Sequence, residues 1–184
     1  MRGRRFHSSG YTLLEMLMTV ILLTMLLLFG LPSMLVFVDT MRLDTANRAM
    51  ISSLQLARSS AAAGGRRVVL CKSADGVSCG QAQGWEQGWI VFQDSNNNAH
   101  LDEGERVLHR EPALGARLRM RGNRPVEGYI AYTPLGQTQL TNGAFQAGTL
   151  TACMLSLEQS SARQIVISAS GRARTQAVRL EFCA

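Results

Sequence analysis

Residues 10–38 read GYTLLEMLMTVILLTMLLLFGLPSMLVFV, and the reading of this stretch decides how the rest of the chain is understood. From Tyr11 to Val38 it holds no Lys, Arg or Asp and one acid, Glu15. As a helix at ~1.5 Å per residue the run is about 40 Å long, enough for a hydrocarbon core of ~30 Å. A secretory signal peptide has a shorter apolar region that ends at a small-residue cleavage site, whereas here Gly10 precedes the run. Cleavage after Gly10 leaves the helix on the mature chain. Arg2, Arg4 and Arg5 stand before the helix and nothing comparable comes closely after it. The positive-inside bias therefore predicts a single pass with the N-terminus cytoplasmic and the rest exported.

Glu15 is the residue that needs a reason, because a carboxylate in an apolar helix costs ~2.5–3.5 kcal/mol near the bilayer centre. One reading is an acid snorkelling at the helix end. The other is a partner charge, since cleavage after Gly10 creates a new α-amino group at Tyr11. The hexapeptide Gly10-Tyr11-Thr12-Leu13-Leu14-Glu15 resembles the class III signal of type IV pilins and type II secretion pseudopilins. The resemblance implies that prepilin peptidase cuts after Gly10 and methylates Tyr11, and that Glu15 pairs with the N-terminal amine of a neighbouring subunit during assembly. Tyr11 replaces the family's usual phenylalanine. Pro32 strengthens the likeness: proline inside a helix removes a hydrogen bond and kinks or locally melts it, and pilins commonly carry one at this place.

Composition bounds the part of the chain beyond the anchor. The remainder is the size of one domain, so three segments are expected: a leader, 1–10; a transmembrane and assembly helix, 11–38; and a periplasmic head, 39–184. Four cysteines, Cys71, Cys79, Cys153 and Cys183, allow three connectivities. Export favours disulfides over metal ligation, and proximity favours Cys71 with Cys79 and Cys153 with Cys183. Zinc is disfavoured because Cys71 and Cys79 are too far apart for a knuckle and the sequence holds no paired histidines. The formal charge is +6, and from Arg106 onward there are ten arginines, no lysines and four acids. An arginine-only surface suits bidentate phosphate contact.

Beyond Val38 the pattern turns amphipathic. Leu43, Ala46, Met50, Leu54, Ala57 and Ala61 recur at three- and four-residue steps, which continues the helix as far as Gly64-Gly65. The period then falls to two. Strands are predicted over 67–72, 88–93, 106–109, 117–121, 129–133, 150–155, 164–168 and 172–182, the last with a break. One long helix succeeded by strands indicates an α+β fold with antiparallel sheet. Trp85-x-x-Gly88-Trp89-Ile90-Val91-Phe92-x-Asp94-x-Asn96 and Asp102-x-Gly104-Glu105-x-Val107-Leu108 are similar to the core signature of GspH/FimT pseudopilins. Ala162-Arg163-x-Ile165-Val166-Ile167-Ser168, then Gly171-Arg172-Ala173-Arg174, resembles that family's C-terminal motif. The resemblance implies the pilin fold: a long N-terminal helix packed on an antiparallel β-sheet head.

Three sites are candidates. Arg172 and Arg174 fall on one side of a strand after a turn at Ser170-Gly171, placed to clamp successive phosphates. DNA-binding FimT proteins are similar here, with a G-R-x-R motif. Arg117, Arg119 and Arg121 also alternate to one face, and two such rows can track duplex DNA with little base specificity. The competing reading has Gly171-Arg172 as a family turn and the arginines solvated or paired with acids such as Glu127, Glu158 and Glu181. Secondly, Asp94 to Glu105 places Asp94, Asn96, Asn98, Asp102 and Glu105 with the spacing of a calcium loop. Ala99 stands where such a loop needs glycine, so a polar hairpin with Asx turns is the better reading. Thirdly, enzymatic chemistry has poor support: the histidines are His7, His100 and His109, and no nucleophile motif or phosphate-binding glycine loop is present. Trp85 and Trp89 read as packing residues. No cofactor is expected. The expected partners are prepilin peptidase, other pilins or pseudopilins, the inner membrane and double-stranded DNA. The function implied is a minor type IV pilin at the pilus tip, with a minor pseudopilin of a type II secretion system as the alternative.

Overall fold

The computed structural model of the chain describes residues 10–80, 84–155 and 160–183, with the side chains of 29–33, 35, 36 and 160 outside the description. The leader arginines, Glu158 and the side chain of Pro32 thus lie outside the described residues. Two compact units are present, Met1–Asp39 and Thr40–Ala184, and helix α1 (Leu13–Gly64) supplies residues to both.

In the first unit Thr12 caps α1. Its Oγ1 accepts the Glu15 N–H at 3.3 Å and its carbonyl accepts the Met16 N–H at 3.2 Å. Thr12-x-x-Glu15 has the spacing of a capping box, and a carboxylate in the first turn is favoured by the helix dipole. Glu15 therefore has a local reason for its place in addition to any partner charge. The large apolar side chains from Leu13 to Leu28 stand exposed, Leu13 at 85%. Among the described residues no helix is long and apolar enough to cross a membrane. The expected span 11–38 includes side chains outside the description. α1 is unbroken at Pro32, where a kink or melted turn is expected.

In the second unit the stripe Leu43, Ala46, Met50, Leu54, Ala57 and Ala61 is buried along α1. Gly65, at φ 59°, ends the helix in the left-handed conformation. Beyond it come eight strands: β1 (Val68–Lys72), β2 (Trp89–Gln93), β3 (Val107–Glu111), β4 (Leu118–Gly122), β5 (Tyr129–Tyr132), β6 (Gly148–Met154), β7 (Ser160–Ile167) and β8 (Ala173–Leu180). The expected break in the last strand is absent, since β8 pairs with β7 from Ala173 to Leu180.

The strands form two four-stranded antiparallel sheets, β3-β2-β1-β5 and β4-β6-β7-β8. Both turn an apolar face to α1: Leu70, Val91 and Ile130 from the first and Met120, Leu150 and Ile165 from the second share one core with Met50 and Leu54. At the outer edge of β5 a side chain takes part of the place of a strand. Gln146, fully buried, accepts the Ala131 N–H through Oε1 at 2.9 Å and donates through Nε2 to the carbonyls of Tyr129 and Pro125, both at 2.7 Å. The rest of that edge is met by backbone, the Gln139 N–H donating to the Ala131 carbonyl at 3.0 Å and Tyr132 bridging to Thr138.

The first sheet is also covered on its far face. Val69, Cys71, Ile90 and Phe92 pack there with Ala99 and Leu101 from the loop after β2. Burial on both faces explains why β1 and β2 read as near-continuous apolar runs rather than alternating ones. Disulfides join Cys71 to Cys79 and Cys153 to Cys183, with Cα separations of 5.5 and 5.7 Å. The first lays loop 73–80 against this face, and the second returns the end of the chain to β6.

Candidate functional site

The β7–β8 turn sets the first candidate. The Gly171 N–H donates to the Ser168 carbonyl at 2.8 Å, and the hairpin is closed by the Ser168 N–H donating to the Arg172 carbonyl at 3.0 Å and the Arg172 N–H donating to Ser168 Oγ at 3.2 Å. Gly171 adopts φ 75° and is buried; a Cβ there would strike the Gly136 carbonyl and the Tyr132 ring. Glycine is thus required by both conformation and space. Arg172 and Arg174 emerge from this turn exposed. Among the described residues no acid lies within ion-pair distance of either. They line a cleft of about 380 Å³ with Leu54, Gln55 and Arg58 of α1 and Tyr132 of β5. Burial pushes the Tyr132 hydroxyl up to about 12, so it stays neutral.

The second arginine row differs from expectation. Leu118 and Met120 point into the core as predicted. Arg119 and Arg121, however, converge on Glu86, at 3.5 and 3.6 Å from its Oε1. Glu86 is 6% exposed and its Oε2 also accepts the Met120 N–H at 3.0 Å. This acid is not among those the sequence suggested, because it reaches β4 from a 3-10 turn at Trp85–Gln87. A buried carboxylate needs such partners, which engages Arg119 and Arg121 in the fold. The Arg117 guanidinium approaches the Leu155 carbonyl at 3.5 Å. β4 and β8 are opposite edges of their sheet, so the two sets lie about 14 Å apart at ~4.8 Å per strand. The structure does not bring them together.

The loop after β2 is held by its own polar groups. Asp94, 2% exposed, accepts the N–H groups of Asn98 and Ala99, and lies 3.6 Å from Arg67 Nε. The Asp102 carboxylate accepts from the Asn96 and Asn98 amides, which hold it below the usual carboxylate range. Glu105 receives the N–H groups of Ser95 and Asp102. These are the Asx-type turns of a polar hairpin. Asn97 and Ala99 both take left-handed φ, 62° and 59°. Ala99 so adopts, with a side chain, the conformation for which a calcium loop uses glycine. Among the described residues no three His, Cys, Asp or Glu side chains gather as a metal set.

Residues 46–171 match the family described as type II transport protein GspH. The chain belongs to this family. The GspH match covers the C-terminal part of α1 from residue 46, every strand but β8, and the Gly171 turn. Over 171 residues the chain is 28% identical to the pilin-like protein PilA1 of Thermus thermophilus, covering 91% of this chain and 97% of that one. Its fold is similar to the type IV minor pilin FimU of Pseudomonas aeruginosa, at a TM-score of 0.58 and 19% identity, covering 80% of this chain and 99% of that one. It is also similar to the minor pseudopilin EpsH of the Vibrio cholerae type 2 secretion system, at 0.50 and 12%, covering 74% and 97%. The GspH chain therefore has the pilin fold and is a GspH/FimT-like pilin or pseudopilin. Pilins of this kind are structural subunits, generally without enzymatic activity.

Proposed function

We propose that the chain is a minor type IV pilin, made as a prepilin, that binds double-stranded DNA through its head. Prepilin peptidase cuts after Gly10 and methylates Tyr11. Residues 11–38 hold the subunit in the inner membrane with the head, 39–184, in the periplasm, until it joins the pilus tip complex with other pilins. Glu15 docks the helix against a neighbouring N-terminus. Family membership and the exposed apolar side chains from Leu13 to Leu28 support the assembly role.

The observation that carries the DNA reading is the pair Arg172 and Arg174, exposed beside a rigid turn with no acid near them among the described residues. Guanidinium groups so placed suit phosphates, and phosphate contacts carry no base readout. The test is an electrophoretic shift of duplex DNA by the full chain in detergent micelles over a salt series. The expected result is a shift that weakens steeply with salt and is lost in Arg172→Ala plus Arg174→Ala. An unchanged shift in that double variant would sink the assignment. A second reading, the minor pseudopilin of a type II secretion system without DNA binding, is favoured by the family's description and by the capture of Arg119 and Arg121 by Glu86. Absence of any shift favours a purely structural subunit, whether this pseudopilin or a priming subunit of a pilus without a ligand.

A further inference from the structure

Arg58 is placed by the fold where the strand pattern alone does not bring it. It comes from α1, and its Nη2 donates to the Ser170 carbonyl at 3.3 Å. Its Nε lies 3.1 Å from the point a Cβ on Gly136 would occupy, so the guanidinium rests against the bare backbone of that turn. Two turns, 168–172 and 133–137, thus fix its position. One of five guanidinium donors is spent on Ser170.

Arg58 lines the same cleft as Arg172 and Arg174, with Gln55 at its rim. None of the cleft's described lining residues is acidic. Three arginines lining one concavity concentrate a positive potential there. The neutral phenol of Tyr132 does nothing to cancel it. This is a different object from two arginines on an open strand: it is concave, one of its cations is tethered, and its donors come from both α1 and the hairpin. A phosphate group, with several acceptor oxygens and negative charge, matches that donor set.

Resting on the DNA reading above, we propose that this cleft is a phosphate cradle, in which Arg58 joins Arg172 and Arg174 around a single backbone phosphodiester. Arg58 is the fixed point, and the two exposed arginines close on the group it holds.

The test uses the full chain in detergent micelles and two probes, duplex DNA and inorganic tripolyphosphate, each titrated over a salt series. Each phosphate contact contributes about 0.9 to the slope of log K against log salt on duplex DNA. Arg58→Ala is expected to lower that slope by about one contact and to weaken tripolyphosphate binding. Gln55→Glu keeps Arg58 and its hydrogen bond but sets a carboxylate at the rim, and is expected to weaken both probes with an unchanged melting temperature. If both variants leave slope and affinity unchanged while Arg172→Ala plus Arg174→Ala abolishes the shift, the cradle is overturned and the DNA reading stands. If DNA is not bound but tripolyphosphate is, both the DNA reading and the phosphodiester cradle are overturned. Failure of both probes to bind overturns the cradle.

Discussion

The indole N–H of Trp89 donates to Ser53 Oγ at 2.9 Å, both side chains lying in the buried core. This bond ties β2 to the C-terminal part of α1 and gives a polar partner to an indole that belongs to the apolar core. Ser53→Ala leaves that donor buried and unsatisfied, at a cost of about 1–3 kcal/mol. Urea denaturation of residues 40–184 should show the midpoint falling with little change in slope. A loss within error of zero would mean that the indole finds another acceptor.

Gly171→Ala should destabilise by about 1–3 kcal/mol, because it adds left-handed strain to a clash with the Gly136 carbonyl. The distinguishing control is Gly115→Ala, also at positive φ but with nothing within 4 Å of its Cβ. Calorimetry should show the larger drop in melting temperature at Gly171.

Glu86→Gln keeps an acceptor for the Met120 N–H but removes the charge that Arg119 and Arg121 meet. Both arginines are well exposed, so the expected loss is modest, about 1–2 kcal/mol. DNA binding should be unchanged, since the cleft lies on the other edge of the sheet. A marked gain in affinity on freeing Arg119 and Arg121 would put the second row back into the interface.

The Asp75 carboxylate accepts the N–H groups of Val77 and Ser78 and the hydroxyls of Ser73 and Ser78, which hold it well below the usual carboxylate range. A folded pKa below the unfolded one means that the contribution is present above about pH 3.9 and is lost as the pH falls through the depressed value. Amide exchange at Val77 and Ser78 should therefore stay protected from neutral pH to below pH 4. In Asp75→Ala that protection should be absent at every pH.

Reducing both disulfides should destabilise unequally. The chain-entropy model gives about 2.5 kcal/mol for the Cys71–Cys79 loop and about 3.5 kcal/mol for the longer Cys153–Cys183 loop. Paired serine variants in thermal melts test the order. A larger loss at Cys71–Cys79 would show that packing of Cys71 in the second apolar cluster outweighs loop length.

Much of the head was legible because burial imposes a period. Leu43 to Ala61 had to lie on one helical face, and Leu118 and Met120 had to alternate with Arg119 and Arg121. Turn glycines marked the strand ends closely. What pattern does not carry is the identity of long-range polar partners. Glu86 looks like any surface acid until its 3-10 turn sets it under β4. Gln146 looks like a loop glutamine until its amide meets the edge of β5. Arg58 sits among the polar positions of a helix, and only the docking of two distant turns reveals what it faces.

The position of β8 at a sheet edge gives its arginines a second duty. An eight-residue strand with an open row of backbone donors and acceptors is a template for the strand of any neighbouring molecule, and charge along the strand is one defence against that. Arg174 and Arg179 are exposed along it. Neutralising Arg174 to probe DNA thus also lowers the barrier to self-association, and in a crowded preparation the variant should scatter light sooner on heating than its parent. Reversing the charge with Glu in place of Ala removes phosphate affinity while keeping the strand guarded, which separates loss of a ligand from loss of solubility.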